Sequence, residues 1–176
     1  MNTDYKLTSK DKLSELAKRN GIKTWNELTK FIKNLPYGRN KNRTDFGLVL
    51  SEQKGTCSSK HALLKSIADL NNVPNIKLIT GIYRMTASNT PKIGTVLAEN
   101  SIEFIPEAHC YLEIGNQKCD FTSPSSDFDT FKEDIIEQKE IKKNQLIEYK
   151  LEYHKRFLKQ WLLEFQLNFG LEELWR

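Results

Sequence analysis

Three separated residues in this 176-residue chain could together attack a carbonyl carbon: a thiol at Cys57, an imidazole at His109 and a carboxylate at Asp120. Cys57 stands in Gly55-Thr56-Cys57-Ser58-Ser59-Lys60-His61-Ala62-Leu63-Leu64. The apolar residues that follow, Ala62, Leu63, Leu64, Ile67, Ala68 and Leu70, recur with helical spacing. Cys57 is therefore expected in the first turn of a helix. There, unpaired backbone N–H groups and the helix dipole favour a thiolate over the free thiol, whose pKa is about 8.5. The same N–H groups can receive an oxyanion, and Gly55 leaves room for a tight turn or an approaching substrate. A free cysteine is also a common small buried residue, so Cys57 gains meaning only with a base and an orienting acid.

His109 opens His109-Cys110-Tyr111-Leu112-Glu113-Ile114, a strand-like run before Gly115-Asn116-Gln117-Lys118, and Asp120 falls on the next strand. A two-residue turn centred on Asn116 and Gln117 would pair Glu113 with Asp120, on the face that carries His109 and Tyr111. Cys110, Leu112 and Cys119 would point to the other face as packing residues. Regular pairing leaves His109 and Asp120 diagonally displaced, and a bulge is one way to close the gap. In chemical terms His109 would take the Cys57 proton, and Asp120 would orient the imidazole and favour its charged form. Singly, the histidine could be a surface group and the aspartate a turn cap.

Gly55-Thr56-Cys57 before an Ala/Leu-rich helix, His109 followed four residues later by Glu113, and Asp120-Phe121-Thr122 together resemble the transglutaminase-like superfamily of papain-like cysteine enzymes. The resemblance covers residues 53–124. It implies an α+β fold: a papain-like core with the nucleophile-bearing helix packed on an antiparallel sheet, to which the chain adds a long C-terminal helix. It also implies Cys57 as nucleophile, His109 as base and Asp120 as orienting residue. Tyr111 stands where the family often has tryptophan, a change in the wall of the substrate cleft. Gln53 is the candidate side-chain donor to the oxyanion by the same analogy, or else an exposed loop amide. Tyr83, in the strand-like Ile76–Met85 segment bordering the cleft in related folds, is a further candidate substrate contact. Its alternative is packing against the catalytic helix, with Arg84 solvated.

These residues need a scaffold to position them. Ser9 or Asp11 could cap a helix carrying Leu13, Leu16 and Ala17, and Thr24 one carrying Trp25, Leu28, Phe31 and Ile32, which places N-terminal helices within 8–35. Residues 87–94 read as a turn-rich insertion near the cleft, and Pro106 as the end of regular pairing before His109. From 131 to 170 the chain reads as a helical segment whose apolar stripe includes Leu146, Leu151, Phe157, Leu158, Trp161, Leu162, Phe165 and Leu167. With 38% hydrophobic residues and no linker, residues 1–176 are expected to form a single domain.

The formal charge of +4 is spread through mixed-sign segments, with no nucleic-acid recognition motif, so no nucleic-acid partner is expected. No apolar run has the length of a membrane span, no signal-like segment opens the chain, and three cysteines make no disulfide framework. A reducing cytoplasmic setting follows as the expectation. Cys57, His109, Cys110 and Cys119 carry ligand atoms, yet their spacing is no recognised zinc pattern, so no metal or other cofactor is expected. The expected function is thiol-dependent acyl transfer or hydrolysis at a peptide or glutamine-like amide of a peptide or protein substrate. The alternative is a noncatalytic interaction domain that binds a protein partner, or itself, through the C-terminal amphipathic helix. An exposed patch of Trp161, Phe165 and Trp175, together with an occluded Cys57, would mark that alternative, whereas a buried stripe and an open Cys57 would favour the enzyme.

Overall fold

A computed structural model describes residues 4–167 and 170–174. At its N-terminal end the expected caps form. The Asp11 carboxylate accepts from the amides of Leu13 and Ser14 at 2.8 and 3.1 Å and starts α1 (Lys12–Arg19). Thr24 and Glu27 form a reciprocal capping box at the start of α2 (Trp25–Asn34). Gly21, at φ +80°, turns the chain between the two helices. A single turn, α3 (Leu48–Ser51), then leads to α4 (Cys57–Leu70), capped by a Thr56–Ser59 box.

Helix α4 is buried on nearly every side, with Ala62, Leu63, Leu64, Ile67 and Ala68 inaccessible to solvent. A helix that is covered all round belongs in the centre of a fold. Here α1, α2 and α3 pack on its outer side, and its inner side meets a four-stranded antiparallel sheet. The strands are β1 (Ile76–Met85), β2 (Ile105–Ile114), β3 (Gln117–Cys119) and β4 (Ile135–Glu140), in spatial order β3-β2-β1-β4. The β1–β2 connection carries α5 (Gly94–Glu99), while α6 (Glu148–Glu164) and the short α7 (Leu171–Leu174) follow the sheet. On one sheet face Leu78, Cys110 and Leu112 pack into the main core with α4; on that face Ile82 and Ala108 meet Tyr153 and Phe157 of α6. The opposite face carries Ile79, Tyr83 and Tyr111 against Phe128, Phe131 and Ile135.

Three local expectations change. Residues 131–147 are not helical: they contain short 3-10 turns and β4, and the long helix begins at Glu148. The Ile-Ile-Glu-Gln-Lys-Glu segment of β4 pairs with β1 along the sheet edge, so its polar side chains stay accessible and hide the period-two signature. Pro106 does not end pairing, because it lies opposite Arg84 within β2. Its carbonyl turns outward to accept from His154 Nε2 at 2.8 Å, so its missing N–H falls on the side of β2 that β3 does not reach. Residues 87–94, expected as a plain turn-rich insertion, include a 3-10 turn that runs into α5. Among the described residues no helix is long and apolar enough to cross a membrane.

Candidate active site

Cys57 is the first residue of α4, and the capping box there uses the amides of Thr56 and Ser59. The next amide, that of Lys60, bonds to the Thr56 carbonyl. Of the orphan donors in the first turn, those of Cys57 and Ser58 remain for an incoming acceptor. Gly55 sits where a Cβ would lie 2.8 Å from Lys60 Cγ and 3.0 Å from Ser59 Oγ, so glycine is required for the box to close under the nucleophile.

His109 is reached from β2. The hairpin turns at Gly115-Asn116 rather than Asn116-Gln117, with Gly115 at φ +61°, and pairs Leu112 with Cys119 and Ile114 with Gln117. Continuing that register past β3 sets Asp120 across from Tyr111 instead of Glu113. A shift of two residues preserves the face and makes Asp120 the diagonal neighbour of His109, so no bulge is needed. His109 Nε2 lies 2.8 Å from Asp120 Oδ2. The other carboxylate oxygen, Oδ1, accepts from the Thr122 amide at 2.9 Å and from the Thr122 hydroxyl. With Nε2 committed to Asp120, Nδ1 is the ring nitrogen left for the Cys57 thiol, and the Cys57 and His109 charges favour one another.

The electrostatics favour an ion pair. A hydrogen bond from the Cys110 thiol lowers the Cys57 pKa against the opposing effect of desolvation, and the charges of Lys150 and His109 lower it further, leaving it well below 9.0. Burial would depress His109, but the Cys57 thiolate and the Asp120 hydrogen bond outweigh it and bring the imidazole up to about 10. Asp120, which burial alone would raise, is held at about 2 by His109, His61 and Thr122. Cys110, buried behind the nucleophile, is pushed well above 9.0 by burial and by Cys57.

Several participants carry no signal in the sequence, or one that is recognisable only beside Cys57 and Asp120. His61, one turn after Cys57 on the same helix face, donates from Nδ1 to the Cys57 carbonyl at 2.7 Å and accepts at Nε2 from the Phe121 amide at 2.9 Å. Those two bonds fix its tautomer, and burial lowers its pKa. Lys60, fully buried, donates to the Leu35 carbonyl at 2.6 Å and the Thr122 carbonyl at 2.7 Å. Lys150 reaches in from α6, donating to Ser58 Oγ at 2.9 Å with its Nζ 3.8 Å from Cys57 Sγ. The i, i+4 spacing of Cys57 and His61 and the Asp-x-Thr of residues 120–122 were readable; Lys150 lies in a mixed-charge run without distinguishing pattern.

The remaining sequence candidates lie elsewhere. Gln53, at φ +53°, spends its side-chain N–H groups on Asn20 Oδ1 and the Leu50 carbonyl, and is not brought to the nucleophile. Tyr111 is no cleft wall: it is fully buried, donates to Gln138 Oε1 at 2.7 Å, and stacks on His109 with ring centroids 6.5 Å apart. Tyr83 does not pack on α4. It sits on the opposite sheet face, edge-on to His109 at 6.1 Å and against Phe131 at 5.0 Å, while Arg84 is exposed. Trp161 is buried and Phe165 is half-exposed; Trp175 lies outside the described residues.

No protein-family model, curated protein or solved structure matches the chain.

Cys57 itself is 7% exposed. Beside it opens a cavity of about 560 Å³, bordered by Ser58 on α4, Glu107 and Ala108 on β2, and Lys150 on α6. A thiolate beside a protonated imidazole, two unused helix amides and a cleft of this size can perform nucleophilic substitution at an acyl carbon.

Proposed function

We propose that the chain is a transglutaminase-like thiol enzyme, forming an acyl-enzyme at a peptide or glutamine-like amide. The observation that carries this is the 2.8 Å hydrogen bond from His109 to Asp120, whose carboxylate is held on its far side by Thr122, beside a Cys57 whose thiolate the charge of His109 favours. The Cys57 thiolate adds to the amide carbon, and its oxygen takes the negative charge toward the Cys57 and Ser58 amides. His109 gives its Nδ1 proton to the departing amine as the C–N bond breaks, leaving a thioester. Water, deprotonated by His109, then releases an acid; a primary amine in its place gives a new amide. Both outcomes share the first half-reaction. Three free thiols suit a reducing compartment such as the cytoplasm.

A noncatalytic interaction module is favoured by one feature, the exposure of Leu163 at 80% and Phe165 at 51% toward the end of α6. The two functions separate in one experiment. An electrophilic glutaminyl-peptide probe, followed by intact mass and peptide mapping, should modify Cys57 alone, rapidly and in a His109-dependent way. Equal labelling of His109→Ala, or labelling shared with the half-buried Cys119, would reject the enzyme and favour the interaction module.

A further inference from the structure

The cavity beside Cys57 has an uneven charge. Arg39 and Arg43 stand on its wall, and Lys150 closes its inner end. Lys150 is matched: it faces the Cys57 thiolate and the carboxyl of Glu107. Glu107 is engaged elsewhere on the wall, with its Oε2 3.9 Å from His154 Nε2 and its charge facing Lys150. Neither Arg39 nor Arg43 forms an ion pair with any carboxylate among the described residues, although seven lysines do. Across the cavity the wall turns apolar, with Ile105, Leu151 and Leu158. Its volume of about 560 Å³ suits a group of one to a few residues, not a folded chain.

We propose that Arg39 and Arg43 hold a carboxylate of the acyl substrate, so that the cavity selects acidic peptides or amino-acid amides over neutral ones. A guanidinium presents paired donors that match a carboxylate, and two of them unmatched at the mouth of an otherwise mixed cleft form a receptor for one. The carboxylate can come from an acidic side chain or from a chain terminus beside the reacting amide; the chemistry of recognition is the same. The selection of substrate rests on the thiol-enzyme function proposed above, whereas the binding of the anion rests on the cavity alone.

Three alkylating probes of equal intrinsic reactivity separate these cases: chloroacetyl-glutaminamide (neutral), chloroacetyl-glutamate α-amide (side-chain carboxylate) and chloroacetyl-glutamine (terminal carboxylate). Rates of Cys57 modification are read by intact mass. At least one anionic probe should react about tenfold faster than the neutral one at low salt, and the advantage should shrink as salt is added. In the Arg39→Gln/Arg43→Gln protein the ratio of anionic to neutral rates should fall to about one. Whichever anionic probe is preferred identifies the source of the carboxylate. A wild-type ratio of one for both, or a preference that survives the double substitution, overturns the proposal. The binding of N-acetylglutamate α-amide (side-chain carboxylate), N-acetylglutamine (terminal carboxylate) and the neutral N-acetylglutaminamide to Cys57→Ser protein supplies the independent arm. If Cys57 proves inert to every probe, the enzyme function fails, and affinity of both anionic ligands no greater than that of the neutral amide then overturns the anion site as well.

Discussion

Replacing Asp120 by asparagine removes an acceptor that no rotation of the new side chain can restore. Asp120 Oδ2 takes the His109 Nε2 proton, while Oδ1 takes the Thr122 amide and hydroxyl. Asparagine has one carbonyl oxygen, so it either orients the imidazole or holds the 120–122 segment; the other donor then faces an NH2 group. The size of the loss follows from the carboxylate itself. Burial pushes it up, yet His109, His61 and Thr122 bring it from 3.8 to about 2, which corresponds to about 2.5 kcal/mol of preference for the ionised form at about 1.36 kcal/mol per pH unit. The hydrogen bond and charge of His109 lead the lowering contributions. If His109 supplies about half of that preference, Cys57 acylation near neutral pH falls by about tenfold, and the full amount caps the fall at about 70-fold. The assay is the rate of Cys57 modification against pH for wild type and Asp120→Asn. The window in which thiolate and imidazolium coexist should narrow at its alkaline side, because His109 loses a partner that raises it toward 10. An Asp120→Asn protein with the wild-type rate and an unchanged alkaline limb would refute the assignment of Asp120 as the orienting group. Stability gives a second sign. The depressed carboxyl contributes stability that is present above about pH 4 and lost as pH falls through about 2, and Asp120→Asn should remove that acid dependence.

Lys150→Gln takes away an ammonium 3.8 Å from Cys57 Sγ, so the thiol pKa should rise; labelling near pH 6 should drop by about tenfold and converge with wild type at alkaline pH. Lys60→Met leaves the buried Leu35 and Thr122 carbonyls without their donor, and urea titration should show a loss of about 2–4 kcal/mol. Burial holds Lys60 at about 8 in the folded chain against 10.5 unfolded; the unfolded state binds the extra proton between those values, so wild-type stability should gain from Lys60 as pH rises from 8 to 10.5, and the variant should lack that gain. Gly81→Ala places a Cβ 3.0 Å from Tyr111 Oη and 3.3 Å from its ring, displacing the group stacked on His109; thermal denaturation should reveal a cost of about 1–3 kcal/mol, partly recovered by adding Tyr111→Phe.

What could be read in advance was whatever depends on local chemistry. Asp11 and Thr24 cap the helices they were expected to cap, because a side-chain oxygen at an N-cap is chosen by residues one turn away. The apolar run that placed Cys57 at the start of a helix needs only the helical repeat, and Ile76–Met85 forms β1 with the bounds its β-branched and apolar residues imply. His109 and Asp120 share a face by parity alone, which is why a hairpin register wrong by two residues still put them together. The misses depend on tertiary partners. Strand β4 is a polar edge segment whose pairing is decided by β1, and Tyr111 is buried because Phe128, Phe131 and Gly81 make space around its ring. Lys150 reaches Cys57 across 93 residues, a distance over which no periodicity carries information.

The nucleophile's helix and the base's hairpin are set against each other by polar links as well as by apolar packing, and the two kinds of contact do different things. Leu63, Leu64, Leu78 and Leu112 share one buried cluster that holds α4 on the sheet, but hydrophobic burial is nondirectional and would tolerate small slides along the helix axis. Lys60 and His61, adjacent on α4, do not tolerate them. One donates to the Thr122 carbonyl and the other accepts from the Phe121 amide, so two consecutive helix residues grip the two residues that follow Asp120. These bonds lie in a buried region, where leaving a donor or acceptor unpaired costs about 1–3 kcal/mol. A slide of about one ångström would break both at once while barely changing the apolar area covered. The position of Asp120, and through it the orientation of His109, is thereby tied to the same helix that carries Cys57, so that register between acid, base and thiol is held by the burial cost of two hydrogen bonds.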